Sequence, residues 1–125
     1  LDTGHIALGG EDPVEFAKSS FDRVGHVHLK DVNLSMGPAV LRREVTLMNA
    51  TQQGLFTPLG QGNVDILGVV EVLESRGYQG WYVIEQDTAI TSGMPAANEG
   101  PMLQVAESMD YLKNAVATRV SRLGN

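Results

Sequence analysis

Val24-Gly25-His26-Val27-His28-Leu29 ends in an alternation of apolar and polar residues, His26-Val27-His28-Leu29, a period of two that predicts a β-strand. Side chains two apart on a strand share a face. His26, His28 and Lys30 therefore point one way, and Val27 and Leu29 the other. Trp81-Tyr82-Val83-Ile84-Glu85, aromatic and β-branched, predicts a second strand, with Trp81, Val83 and Glu85 on one face and Tyr82 and Ile84 on the other. Helices are expected around these strands. Asp12 followed by Pro13 opens a short one through residues 14–18, because Asp caps free N–H groups and Pro tolerates the first helical position. Pro38 starts another, with Val40, Leu41, Val45, Leu47 and Met48 on its apolar stripe and Gly54 at its end. Asn63 or Asp65 caps a third, whose apolar side is Ile66, Leu67, Val69, Val70, Val72 and Leu73; Gly77 stops it. The last covers residues 102–120, with Val105, Met109, Leu112 and Val116 on one face. Gly4, Gly9 and Gly10 predict a loop at the start, and residues 56–62 a second loop. Strands alternating with helices imply parallel pairing and an α/β architecture.

The 125 residues suffice for one domain with a hydrophobic core, and 42% hydrophobic with 19% charged residues is ordinary for a globular protein. Fifteen acidic against nine basic residues give a net charge of −6. Nucleic-acid binding needs clustered Lys and Arg, so that class is disfavoured. With no cysteine, disulfides and thiolate metal sites are excluded. Any metal must be held by oxygen and imidazole. Nothing in the sequence resembles a signal peptide or a membrane span, so a cytoplasmic protein that engages no membrane is expected.

Ionisable residues within strands of a parallel sheet require an explanation, because such strands bury both faces. Three places stand out: Asp2 with His5, His26 with His28, and Glu85 with Asp87. Each falls at or near the carboxyl end of a strand, where α/β folds gather ligands and catalytic groups. Two carboxylates and an imidazole on one rim would form a mixed oxygen and nitrogen site, better suited to Mn²⁺, Co²⁺, Fe²⁺ or Zn²⁺ than to Ca²⁺. A cation so held can act as a Lewis acid on a substrate carbonyl. Taken singly, each feature has a plainer explanation. Asp2-Thr3-Gly4-His5 also fits a turn, the His-x-His pair a structural role, and Glu85 a buried ion pair with Lys30.

Asp2-Thr3-Gly4-His5-Ile6-Ala7 and Gly25-His26-Val27-His28-Leu29-Lys30-Asp31-Val32 resemble motifs of the sugar isomerase and epimerase group with the xylose isomerase-like barrel. Phe56-Thr57-Pro58-Leu59-Gly60-Gln61-Gly62 and Val83-Ile84-Glu85-Gln86-Asp87 are similar to the branch of that group that acts in inositol breakdown. The motifs occur in the family's order across nearly the whole chain. The resemblance implies a divalent metal, Mn²⁺ or Co²⁺ foremost, with Mg²⁺, Fe²⁺ and Zn²⁺ compatible. Its ligands in the group are Glu, Asp, His and Glu, of which Asp2, His28 and Glu85 match the last three. It further implies substrate contacts from His5, His26, Lys30 and Asp31, and catalytic roles for Glu85, His5 and Lys30. The implied reaction is loss of water from a keto-cyclitol, 2-keto-myo-inositol.

A complete barrel of this kind needs about 250 residues and eight strands. The expectation is therefore that residues 1–125 form a single partial domain, the carboxy-terminal half of a (β/α)8 barrel. The first glutamate ligand would come from the other half, and the isolated chain would be inactive. Two alternatives remain. One is a ketose 3-epimerase or sugar isomerase of the same group; a DNA-repair endonuclease sharing the fold fits the acidic charge poorly. The other is a non-catalytic half-barrel that associates through exposed sheet edges, as a homo-oligomer or with the missing half.

Overall fold

The computed structural model describes residues 1–123. Strand β1 (Val27–Leu29) pairs in parallel with β4 (Tyr82–Ile84), in the register Val27↔Tyr82, His28↔Val83 and Leu29↔Ile84. On its other side, Asp2 forms a parallel bridge to His28. The backbone N–H of His28 donates to the Leu1 carbonyl at 2.8 Å, so the first two residues act as a stub of a third strand. Three parallel segments thus lie in the order Asp2 stub, β1, β4. The three segments run parallel and so present their carboxyl ends on one side.

Both faces of β1 follow the expected alternation. Val27 and Leu29 are fully buried among Ala17, Val69 and Leu73, which come from helices α2 (Pro13–Ser20) and α5 (Ile66–Ser75). These two helices pack against each other behind the sheet. Asp12 caps α2 through its Oδ1, which accepts from Val14 N at 2.8 Å, with Pro13 in the first turn. Asp65 caps α5 by accepting from Gly68 N at 2.9 Å, and Gly77, at φ +77°, ends it in the left-handed conformation. Both helix starts and the α5 stop are where the sequence puts them.

Three elements differ from expectation. The opening segment is a helix, α1 (Thr3–Leu8), rather than a loop. Asp2 caps it by accepting from His5 N at 2.8 Å, which offsets the low helix propensity of Gly4. The single helix expected from Pro38 to Gly54 is broken into α3 (Gly37–Leu41) and α4 (Leu47–Gln52). Arg43 adopts φ +61°, incompatible with a continuing helix, and Thr46 starts α4 anew by accepting from Asn49 N. The expected loop at 56–62 begins as strand β3 (Phe56–Thr57), antiparallel to β2 (Asp31–Val32). A two-residue strand carries too little periodicity to be visible in sequence. Helix α6 (Pro101–Leu123) closes the chain as predicted, although Val116 and Val120 lie outside the described side chains. No helix among the described residues is long and apolar enough to cross a membrane.

Asp31 holds the β2–β3 unit together. Its Oδ1 accepts from Val32 N at 2.9 Å and Val64 N at 3.0 Å, and its Oδ2 from Gly60 N at 2.9 Å and Gly62 N at 3.0 Å. A Cβ on Gly62 would collide with this carboxylate, so the loop can close on Asp31 only with glycine there. With the side chain 1% exposed and both oxygens engaged, Asp31 belongs to the scaffold. The substrate contact expected of it is corrected accordingly: four backbone donors saturate the group before any ligand can reach it. Replacing Asp31 with Ala should destabilise the full-length protein by about 3 kcal/mol or more, because buried amides lose a charged acceptor. Urea denaturation checks this; an unchanged midpoint would contradict the assignment.

Candidate metal centre

The site follows from the strand register. His28 lies opposite Val83, and Glu85, two residues further along, shares Val83's face. Asp2 bridges His28 from the other side. One ligating atom from each of Asp2, His28 and Glu85 lies within 4.8 Å of the others, and all three residues are half-buried. Nδ1 of His28 is 2.8 Å from Glu85 Oε1 and 3.9 Å from Asp2 Oδ2.

The donor set fits a transition metal. Atoms bound to one ion at about 2.0–2.2 Å are at most about 4.4 Å apart, so small side-chain rotations bring these three into range. The two oxygens of Asp2 have separate roles. Oδ1 caps α1, while Oδ2 faces His5 Nδ1 at 3.3 Å, His28 and Lys30. The cap thereby fixes the direction of the oxygen that faces the cluster.

Lys30 lies behind the carboxylates. Its ammonium is 2.8 Å from Glu85 Oε2, 2.9 Å from Asp87 Oδ2 and 3.9 Å from Asp2 Oδ2. It also sits 5.0 Å from the centroid of the Phe56 ring, within cation–π range. Burial pulls the ammonium's pKa down, but the hydrogen bonds to Glu85 and Asp87 and the fields of Asp2 and Asp87 outweigh it, and the group titrates above its ordinary value of 10.5. With its side chain only 3% exposed, Lys30 orients carboxylates rather than reaching into open space for substrate oxygens.

His5, by contrast, is exposed beside Asp2, with its ring edge-on to Phe56 at 6.2 Å. His26 packs edge-on against His28 at 5.1 Å between ring centroids. It precedes β1, two residues back from His28 along the strand. The structure thus brings Asp2, His5, His28, Lys30 and Glu85 together, leaves His26 as a neighbour of His28 set back from the rim, and assigns Asp31 to the fold. Asp87 and Phe56 belong to the cluster too; the sequence singled out Asp87 beside Glu85 without giving it a role, and did not single out Phe56 as a site residue. Asp87 carried a visible signal, its spacing of two from Glu85. Phe56 opened a motif that carried the family resemblance, but its place beside Lys30 was not legible, since β3 brings it in from a distant segment.

A parallel sheet with polar side chains gathered at its strand ends and helices behind it is the arrangement found in (β/α) barrels. The xylose isomerase-like TIM barrel family model matches residues 1–115, and the chain belongs to that family. It is 39% identical over 93 residues to the inosose dehydratase of Geobacillus thermodenitrificans (strain NG80-2), an alignment covering 73% of this chain and 31% of that protein. To the inosose dehydratase of Clostridium botulinum (strain Eklund 17B / Type B) it is 35% identical over 102 residues, covering 80% and 34% respectively. To that of Clostridium tetani (strain Massachusetts / E88) it is 28% identical over 116 residues, covering 93% and 37%. The chain thus spans about a third of the length of the curated relatives it matches, and corresponds to their carboxy-terminal part.

The raised pKa of Lys30 makes a signed prediction. A cation stabilised in the folded state contributes fully below its unfolded value and loses that contribution as pH rises through the folded one. Metal-free wild-type protein should therefore lose stability relative to Lys30→Met as pH climbs past 10.5, while the difference stays constant at neutral pH. Thermal denaturation of the pair across the alkaline range measures this. A wild-type advantage that grows with pH would contradict it.

Proposed function

We propose that this chain supplies three metal ligands and part of the substrate pocket of an enzyme that dehydrates a keto-cyclitol such as inosose. The observation carrying this is the convergence of Asp2, His28 and Glu85 at the ends of three neighbouring parallel segments. The names of the curated relatives support the substrate. Exposed apolar side chains, among them Met94, Met102 and Leu103, support association with further barrel structure.

A divalent cation, Mn²⁺ or Co²⁺ foremost, would supply Lewis acidity toward the substrate ketone when held by Asp2, His28 and Glu85. Elimination of water requires a base to take the proton from the carbon beside the ketone and an acid to protonate the departing hydroxyl. We assign Glu85 a second role as the base; its Oε2 is held by Lys30 and its Oε1 lies beside His28, so its position at the cluster supports the assignment. His5 suits the role of acid, as an exposed imidazole oriented by the Asp2 carboxylate. The hydroxyl leaves as water with the proton from His5, the carbon-bound proton stays on Glu85 until exchange with solvent resets both groups, and the unsaturated product tautomerises to a diketone. Lys30 holds Glu85 and Asp87 in position throughout.

The test uses the full-length enzyme. Chelation should abolish turnover of inosose, and Mn²⁺ or Co²⁺ should restore it. His28→Ala should lower both metal content and turnover, by about 100-fold or more for the latter. Mass spectrometry of the product decides the reaction class. A product lighter than the substrate by the mass of one water marks dehydration, whereas an isomer of unchanged mass identifies an epimerase or isomerase and overturns this reading. Wild-type turnover by His28→Ala would remove the metal assignment.

A further inference from the structure

We propose that Thr3 and Gly4 are positioning residues that clasp Lys30 and thereby aim the Glu85 carboxylate; the catalytic consequence rests on the dehydratase reading above. The Thr3 side chain is fully buried, and its hydroxyl donates to the Lys30 carbonyl at 2.8 Å while accepting from Lys30 N at 2.9 Å. One hydroxyl makes both bonds at once, since it has a single proton and two lone pairs. Lys30 is the residue between β1 and β2, outside either ladder. Thr3 satisfies there a buried backbone donor and acceptor that would otherwise be costly to leave unpaired.

Gly4 acts on the side chain. A Cβ at this position would lie 2.7 Å from Lys30 Cγ and 3.0 Å from its Cβ and Cδ. The aliphatic stem of Lys30 occupies the space that any other residue at position 4 would fill. Helix α1 thus fixes the Lys30 backbone with one residue and its stem with the next, which leaves the ammonium to reach Glu85 and Asp87. Asp2 starts the same helix, so one cap places a metal ligand and the clasp for its neighbour.

The experiment compares Thr3→Val, Thr3→Ser and Gly4→Ala in the full-length enzyme. Valine keeps the shape of threonine without the hydroxyl, and serine keeps the hydroxyl. Limited acetylation with acetic anhydride, read by peptide mass spectrometry, reports Lys30 accessibility; exposed Lys18 and Lys113 serve as internal references. Thr3→Val and Gly4→Ala should raise Lys30 acetylation several-fold with the references unchanged, and Thr3→Ser should behave as wild type. In the same proteins, assayed at saturating metal, kcat should fall about 10- to 100-fold with KM retained. Wild-type acetylation and kcat in Thr3→Val would overturn the clasp, as would a Thr3→Ser variant as impaired as Thr3→Val. Should Gly4→Ala fail to fold, the Val and Ser pair decides alone. If the wild-type protein does not dehydrate inosose while Lys30 acetylation responds as expected, the clasp stands and the substrate assignment falls.

Discussion

A lysine ammonium removed from water costs several kcal/mol unless opposite charges surround it. Lys30 is buried, and the site is arranged around that requirement. Glu85 and Asp87 reach it from the end of β4, Asp2 lies further off at the head of α1, and the Phe56 ring covers it from β3. The contacts are reciprocal. The carboxylates make burial of the cation tolerable, and the cation lets three acidic groups gather near one imidazole without repelling one another apart.

Two aspartates illustrate how position decides the use of the same side chain. Asp2 commits one oxygen to a helix N–H and keeps the other toward the site. Asp31, one residue past the buried lysine, meets four backbone donors and is consumed by them. The first can serve a ligand. The second fixes the loop at residues 60–64 against β2, and so supports the wall that carries Phe56.

Membership of the xylose isomerase-like barrel family agrees with what the geometry displays: parallel strands, helices behind them and polar groups at the carboxyl ends. The chain contributes three neighbouring segments of such a sheet and the polar cluster at their ends. Its exposed methionines and leucines on α4, α6 and the loop before α6 are apolar surface of the kind that neighbouring structure covers in a complete barrel.

The alternation in residues 24–29 and 81–85 marked the two main strands and set His28 and Glu85 each on a defined face, because a period of two fixes side-chain direction wherever a strand forms. The register that sets His28 opposite Val83, beside Glu85, was decided by the tertiary pairing. Asp12-Pro13, Asp65 and Gly77 likewise marked helix ends through local hydrogen bonding and backbone sterics, which depend on near neighbours alone. What the sequence did not disclose required contacts between distant segments. The helix at Thr3–Leu8 has a local cap in Asp2 that the three early glycines outweighed in the sequence pattern, whereas the need for glycine at position 4 comes from the Lys30 stem, 26 positions away in number. The short β2–β3 pair exists because Asp31 gathers amides from residues 60–64. The division of labour among Asp31, Lys30 and His26 was likewise a tertiary outcome. Residue type states what a side chain can bond, but burial and the partners that arrive from elsewhere decide which bond it makes.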